Sequence, residues 1–235
     1  MHVFYAPDIA PQKGYYVFSS EESRHSCKVL RLGTGDQVTL VNGRGQQFTA
    51  EISEADPRKV KVNILEIVEA PRPRDYFLHL AIAPTKRMER FEWFVEKATE
   101  VGVDRITPII TQNSERRVLN VARLQKKMIA ALKQSLNLFL PELHAAEEFS
   151  TFIQQHSADQ KGIAYCGAGD KATLQDLLVP GGQYLILIGP EGDFSEGEIE
   201  RAETQGYQLL TLGESRLRTE TAGLAVCFEA NWINR

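Results

Sequence analysis

The spacing of hydrophobic positions along this chain changes once, near residue 70. Before that point, residues 37–41, 47–52 and 59–67 mostly alternate apolar with polar side chains. A period of two predicts half-buried strands, and Asn42-Gly43 between the first two predicts an antiparallel hairpin. Ser19-x-x-Glu22 reads as a capping box opening a short helix through Val29 and Leu30. A β unit this short is expected to close into a small barrel that hides its edges. Ala70-Pro71-Arg72-Pro73-Arg74 then holds the chain extended and marks the domain boundary. Beyond it, strands at 77–83, 106–110, 162–166, 184–188 and 208–212 alternate with helices at 87–101, 121–136, 147–155, 174–178, 196–204 and 220–234. Met88, Phe91, Val95 and Ala98 share one stripe of the first of these helices, and Leu124, Met128 and Leu132 recur every four residues in the second. Strand and helix in alternation predict βαβ units and a mostly parallel sheet. The expected organisation is a small β domain over residues 1–70 and an α/β domain over residues 75–235.

Composition bounds this picture without changing it. With 43% hydrophobic and 25% charged residues, the 235-residue chain reads as an ordinary soluble globular protein. Three cysteines, Cys27, Cys166 and Cys227, with no Cys-x-x-Cys pair, argue against a disulfide framework and against a zinc site. The first residues lack the basic and apolar regions of a signal peptide, and no apolar run reaches membrane-spanning length, so the expected location is the cytoplasm.

Charge is more informative in its distribution than in its sum of −4. Residues 1–140 carry 21 Lys and Arg against 16 Asp and Glu; residues 141–235 carry 6 against 15. Basic residues cluster at Arg24, His25, Lys28 and Arg31, at Arg72 and Arg74, at Lys86, Arg87 and Arg90, at Arg116 and Arg117, and at Lys126 and Lys127. Such asymmetry fits a polyanion held by one part of the chain and a different ligand by the other; solvated helix faces would produce the same clusters.

Candidate chemistry concentrates at residues 184–224, where two apolar strands each end in a glycine-bearing loop that enters a helix. The first loop, Gly189-Pro190-Glu191-Gly192-Asp193-Phe194, matches neither the dinucleotide fingerprint nor the P-loop. Its two carboxylates satisfy the helix dipole and repel phosphate, and Ser195 with Glu198 forms a second capping box. A ligand that is neutral or cationic at its reactive end, such as S-adenosylmethionine, fits this loop better than NAD or ATP. In the second loop, residues 212–223, Thr219 is the expected N-cap. Arg218 is expected to meet a substrate anion or a carboxylate, Glu191 or Glu220. The last helix, with Ala222, Leu224, Val226, Cys227, Phe228, Ala230, Trp232 and Ile233, has almost no polar face. Either a second subunit or the N-terminal domain must cover the side that the sheet does not.

The sequence resembles the RsmE family of 16S ribosomal RNA uridine-N3 methyltransferases, within the SPOUT superfamily. The resemblance runs through residues 25–36, 96–108, Gln134-Ser135 with Pro141-Glu142, and most specifically 187–195 and 212–222. It implies a PUA-like β-barrel followed by an α/β domain with a deep trefoil knot at about residues 184–224. It also implies a homodimer, formed through the C-terminal helix, that methylates uracil 1498 of 16S rRNA in the assembled 30S subunit, with S-adenosylmethionine as the methyl donor. The implied cofactor residues are Leu187, Gly189, Gly192, Leu212, Gly213, Leu217, Arg218, Thr219 and Ala222. The expected catalytic residues are Arg218, stabilising the uracil anion, with Thr219 and Glu220 orienting the base; no metal is implied. The RNA contacts are expected at Arg24, His25, Lys28, Arg31, Lys86, Arg87, Arg116 and Arg117. The chain departs from the family at residues 133–140, Lys-Gln-Ser-Leu-Asn-Leu-Phe-Leu, and at Asp193, where a second glycine is frequent. Two other readings share the motifs: a ribose 2′-O-methyltransferase of the same superfamily, and a non-catalytic ribosome assembly factor.

Overall fold

The computed structural model describes residues 2–235. The chain divides into two compact units: a smaller one up to Pro73 that also takes Leu132–Leu140, and a larger one of Arg74–Ala131 and Pro141–Arg235.

The smaller unit is built on β1 (Val3–Tyr5), β2 (Tyr15–Val17), β3 (Gln37–Val41), β4 (Gln46–Glu54) and β5 (Lys61–Glu69), in the order β1-β3-β4-β5-β2. The alternating segments became the three long strands; β1 and β2, three residues each, were too short to leave a periodic signal. Between β3 and β4, Asn42 Oδ1 accepts from the N–H groups of Arg44 (2.8 Å) and Gln46 (3.2 Å), so the side chain builds the turn. Register shifts between β4 and β5 at Thr49/Ala50 and Ile52/Glu54 bend the sheet, whose inner face buries Phe4, Phe18, Leu40, Phe48, Ile52 and Val62. The expected closed barrel is not formed: β1 and β2 end the ladder, and no pairing joins them among the described residues. Three-residue end strands offer too few donors and acceptors to close it, which leaves a curled half-barrel.

Ser19 caps α1 (Ser20–Arg24) by accepting from Glu22 N at 3.2 Å, and a π-turn continues it over His25–Val29. The Glu22 carboxylate does not complete the reciprocal box; it pairs with Lys133 Nζ at 3.0 Å. That contact belongs to the Leu132–Leu140 segment, whose Leu138 carbonyl accepts from Gly45 N (2.9 Å) and whose Leu140 N–H donates to Gly43 O (2.9 Å). Membership of these nine residues in the smaller unit is a long-range event with no periodic signature.

The larger unit holds β6 (Phe77–Ile82), β7 (Arg105–Ile110), β8 (Glu142–Leu143), β9 (Glu147–Glu148), β10 (Gln160–Ala164), β11 (Gln183–Ile188) and β12 (Gln208–Leu210). All pair in parallel in the order β12-β10-β11-β6-β7-β8, with β9 added to the far end of β7. Its helices are α2 (Met88–Val101), α3 (Val121–Ser135, whose residues from Leu132 on belong to the smaller unit), α4 (Phe149–Gln155), α5 (Leu174–Leu177), α6 (Glu196–Thr204) and α7 (Thr219–Ile233). Alternate residues of the central strands serve opposite faces. Leu185 and Leu187 join Phe152, Ile199 and Ala202 of α4 and α6, while Ile82 meets α7 at Gly223. A Cβ on Gly223 would lie 2.6 Å from Phe94 and 2.8 Å from Ile82, so this glycine lets α7 lie directly on the sheet and on α2. Burial of each such Leu, Ile or Phe is worth about 1.5–3 kcal/mol, which is why this sheet rather than any loop anchors the site. Among the described residues no helix is long and apolar enough to cross a membrane.

Candidate active site

In open parallel sheets ligands bind beyond the carboxyl ends of the strands, and here the adjacent strands β12, β10 and β11 end in one cleft of about 760 Å³. Gly189, Pro190, Glu191 and Asp193 line it from the loop after β11. Residues from Thr211 to Thr219, with Ala222, line it from the loop after β12, and Ala164, Tyr165, Cys166 and Lys171 from the loop after β10. Arg90 of α2 completes the wall.

Specific hydrogen bonds hold these loops. Thr219 Oγ1 donates to the Gly189 carbonyl at 3.0 Å, joining the second loop to the first. The expected N-cap role of Thr219 is therefore corrected: Arg218 occupies the N-cap position with no side-chain cap, and Thr219 is the first helical residue, its hydroxyl spent on the neighbouring loop. Glu191 accepts from Lys86 N at 3.0 Å. Asp193 stands in the left-handed region (φ 60°), where its carboxylate accepts from Cys166 N (2.9 Å) and Phe194 N (2.8 Å). Asp tolerates that backbone because its short side chain can bond locally, so the departure from glycine ties two cleft loops together. Glu198 is buried and accepts from Ser195 N (2.9 Å) and from Gln112 N (2.8 Å), so the box expected at α6 also fastens the loop after β7. Gly213 needs its own freedom, with φ 112° and open space where a side chain would project.

Seven of the nine cofactor positions expected from the sequence line the cleft: Gly189, Leu212, Gly213, Leu217, Arg218, Thr219 and Ala222. Leu187 and Gly192 do not. The Leu187 side chain is fully buried on the α4–α6 face of the sheet, and the open side of Gly192 faces Asn113, whose Nδ2 donates to Gly192 O at 3.1 Å. Arg218 is exposed and has no ion pair among the described residues, so neither carboxylate expected as its partner takes it. Glu220 is turned away from the cleft lining, its carboxylate buried and 3.7 Å from Arg90 Nε. Arg90, Lys171 and residues 164–166 were missed as cleft residues; the signal available was that the loop after β10 follows a buried strand, as the two recognised loops do.

The expected RNA residues form two groups. Arg24, His25, Lys28 and Arg31 are all exposed on α1, the π-turn and the turn after it. In the larger unit, Arg116 donates to Lys86 O through Nε (3.3 Å) and Nη2 (3.0 Å), while Lys86 Nζ pairs with Glu115 at 2.7 Å. Hydrogen bonding to Glu115 holds the Lys86 ammonium above its ordinary pKa. Arg117 lies 3.7 Å from Glu148, and Arg87 is exposed. Among the described residues no cluster of His, Cys, Asp and Glu is placed to hold a metal ion.

The cleft accords with the relatives of the chain. Residues 72–230 match the model of an RNA methyltransferase domain, and residues 18–65 that of an RNA methyltransferase PUA domain. A crystal structure of a probable rRNA-methyltransferase from Porphyromonas gingivalis superposes with TM-score 0.92 and 38% identity, covering 100% of this chain and 98% of that one. A putative methyltransferase from Legionella pneumophila, in complex with the bound cofactor SAM, gives TM-score 0.90 and 30% identity over 99% and 97%. Ribosomal RNA small subunit methyltransferase E of Rickettsia conorii is 28% identical over 212 residues, 88% of this chain and 85% of the relative. With a domain model covering most of its length and such relatives on both counts, the chain belongs to the RNA methyltransferase family, in the group of the ribosomal RNA small subunit methyltransferase E proteins.

Proposed function

We propose that the protein transfers a methyl group from S-adenosylmethionine to N3 of one uridine of 16S rRNA, uracil 1498, within the 30S subunit. The observation that carries this reading is the cleft itself: apolar walls from Ile188, Leu210, Leu212, Leu217 and Ala222, carboxylates at Glu191, Asp193 and Glu214, and the cations Arg90, Lys171, Arg216 and Arg218. Apolar walls suit an adenine ring, and carboxylates suit a sulfonium. The Legionella relative, bound to SAM, supports the same donor.

S-adenosylmethionine supplies an electrophilic methyl; the N3 lone pair bonds to its carbon as the carbon–sulfur bond breaks, giving S-adenosylhomocysteine, the methylated base and the proton released from N3. The protein's work is positioning and charge stabilisation. Arg218, exposed in the cleft and unpaired, is the group we assign to the negative charge that develops on the uracil. Thr219 positions it by tying the loop to Gly189. Because N3 lies on the pairing edge of the base, the target enters the cleft unpaired. The basic groups at Arg24, His25, Lys28 and Arg31 and at Lys86, Arg87, Arg116 and Arg117 are proposed as phosphate contacts, which position without specifying sequence and weaken with salt.

The reading includes a PUA-like RNA-binding domain in residues 1–70, a methyltransferase domain in residues 75–235, and a trefoil knot threading residues 184–224, with the protein acting in the cytoplasm as a homodimer. In support of the dimer, α7 leaves Phe228 and Trp232 58% and 67% exposed beside Ala225 and Val101. Large apolar side chains on a helix face of this kind are covered most economically by a second copy. The decisive experiment is methyl transfer by the purified protein to 30S subunits lacking the modification, read by nucleoside mass spectrometry. N3-methyluridine in 16S rRNA supports the assignment. A 2′-O-methylated nucleoside, or no transfer despite cofactor binding, overturns it.

A further inference from the structure

Arg90 and Glu220 form a pair that the reading above does not use. Glu220 sits in the first turn of α7 with its side chain 9% exposed, and its Oε2 is buried with no hydrogen-bond partner among the described residues. Its Oε1 lies 3.7 Å from Arg90 Nε, too long for a hydrogen bond and close enough for charge attraction. The Arg90 side chain is 32% exposed, lines the cleft, and donates no side-chain hydrogen bond to any described residue. A buried carboxylate with an unsatisfied oxygen is costly, and a fold that keeps one beside a cleft arginine is holding that arginine in place. Its whole fork of N–H donors remains available to a ligand.

The chemistry of the target says what that fork meets. When a uracil ring loses its N3 proton, the negative charge spreads onto O2 and O4, one on each side of N3. The methyl group approaches between them, so a single arginine cannot serve both oxygens. Three arginines line this cleft, Arg216 and Arg218 from the loop before α7 and Arg90 from α2, and of these only Arg90 is set against a buried carboxylate.

We propose that Arg90, held by Glu220, is the second donor to the uracil anion: Arg90 is a catalytic residue and Glu220 its positioning residue. This rests on the N3 reading, and that reading is checked first: wild-type protein that forms no N3-methyluridine fails it before any variant is made. With activity in hand, Arg90→Ala is expected to lower kcat by about 10²-fold, the scale of losing one donor to a developing oxyanion. Its affinity for S-adenosylmethionine, measured by calorimetry, should stay within about threefold of wild type, because the pair serves the base. The limb of the pH–rate profile that reports N3 deprotonation should move to higher pH, a shift that a purely structural defect does not produce. Arg90→Lys, which lacks the fork, should not restore the rate. Glu220→Ala should lower kcat by about 10-fold alone and by nothing further in the Arg90→Ala background, since coupled groups are non-additive. Glu220→Gln, which keeps an acceptor and the shape, should lie between wild type and Glu220→Ala; retained cofactor binding confirms folding in each case. An unchanged pH profile in Arg90→Ala, a loss of cofactor affinity matching the loss of rate, or multiplicative effects in the double variant would each overturn the proposal.

Discussion

At the amino ends of the parallel strands the charged groups are mostly paired, although Arg74 Nε is buried without a hydrogen-bond partner among the described residues. Arg74 Nη2 lies 3.0 Å from Asp104, whose other oxygen accepts from Leu78 N at 2.8 Å. Arg105 holds Glu142 at 2.6 Å, and Lys161 Nζ donates to Gln205 O at 2.6 Å. At the carboxyl ends of the same sheet, among the described residues, Arg218 is exposed without an ion pair, Arg90 makes only a 3.7 Å charge contact, and one oxygen of Glu220 is buried without a partner. Both ends are built from short loops on the same rigid strands. At the carboxyl ends the carboxylates of Glu191, Asp193 and Glu198 also close the fold on itself, while the cleft arginines Arg90 and Arg218 are left uncommitted. Because Arg74 Nε and Tyr207 Oη are also buried without partners among the described residues, the carboxyl ends are distinguished by uncommitted arginines lining a cleft rather than by incomplete satisfaction as such.

Substitution of the exposed arginine at the open end should affect rate without stability. Arg218→Ala is expected to reduce kcat for methyl transfer by about 10²–10³-fold, the usual loss for one electrostatic stabiliser, with an unchanged thermal midpoint because the side chain is exposed. A fall in the midpoint alongside the rate would give Arg218 a structural role and blur the contrast between the ends.

The closed end should respond to pH instead. His79, 5% exposed in β6, has its pKa lowered from 6.5 to about 3, chiefly by burial and then by Arg105, His156 and His144. The unfolded chain binds a proton there below about pH 6.5, and the folded chain does not until about pH 3. Stability is therefore full above pH 6.5 and falls as the pH drops through that window, by roughly 2 kcal/mol at pH 5. Denaturant titrations across that range should show the slope, and His79→Gln should remove most of it.

Two smaller effects sharpen the comparison. Thr219→Val removes the hydroxyl donated to Gly189 O and should cost about 1 kcal/mol, together with some affinity for S-adenosylmethionine. Calorimetry and melting measured on one sample separate the two. Glu142→Gln at the closed end breaks a pair whose side chains are 29% and 58% exposed and should cost less than about 1 kcal/mol, with unaltered methyl transfer.

Much of this architecture was legible in the chain. The bounds of α6 agree with the capping pattern of Ser195 and Glu198, and the central strands emerge from the mostly apolar runs at 77–82, interrupted by His79, and 184–188. Period and capping are local, so a sequence carries them directly. The two cleft loops were legible too, because glycines and carboxylates at strand ends have a local chemical meaning. What escaped was long-range: the Leu132–Leu140 segment taken into the smaller unit, the two short end strands β1 and β2, and the third cleft loop after β10.

The same division runs through the candidate site. By itself the sequence determined which residue types stand at the strand ends, that they suit a cationic methyl donor better than a phosphate, and that α7 is greasy enough to need cover. Only the tertiary structure decided how those residues are used. It moved Leu187 into the core, turned Thr219 from helix cap into a bridge between loops, and buried the Glu220 carboxylate beside Arg90 rather than beside Arg218. The physical reason is range. A side chain's type and local spacing are written in the chain, but its partner is chosen by packing among segments from about 30 to more than a hundred residues apart.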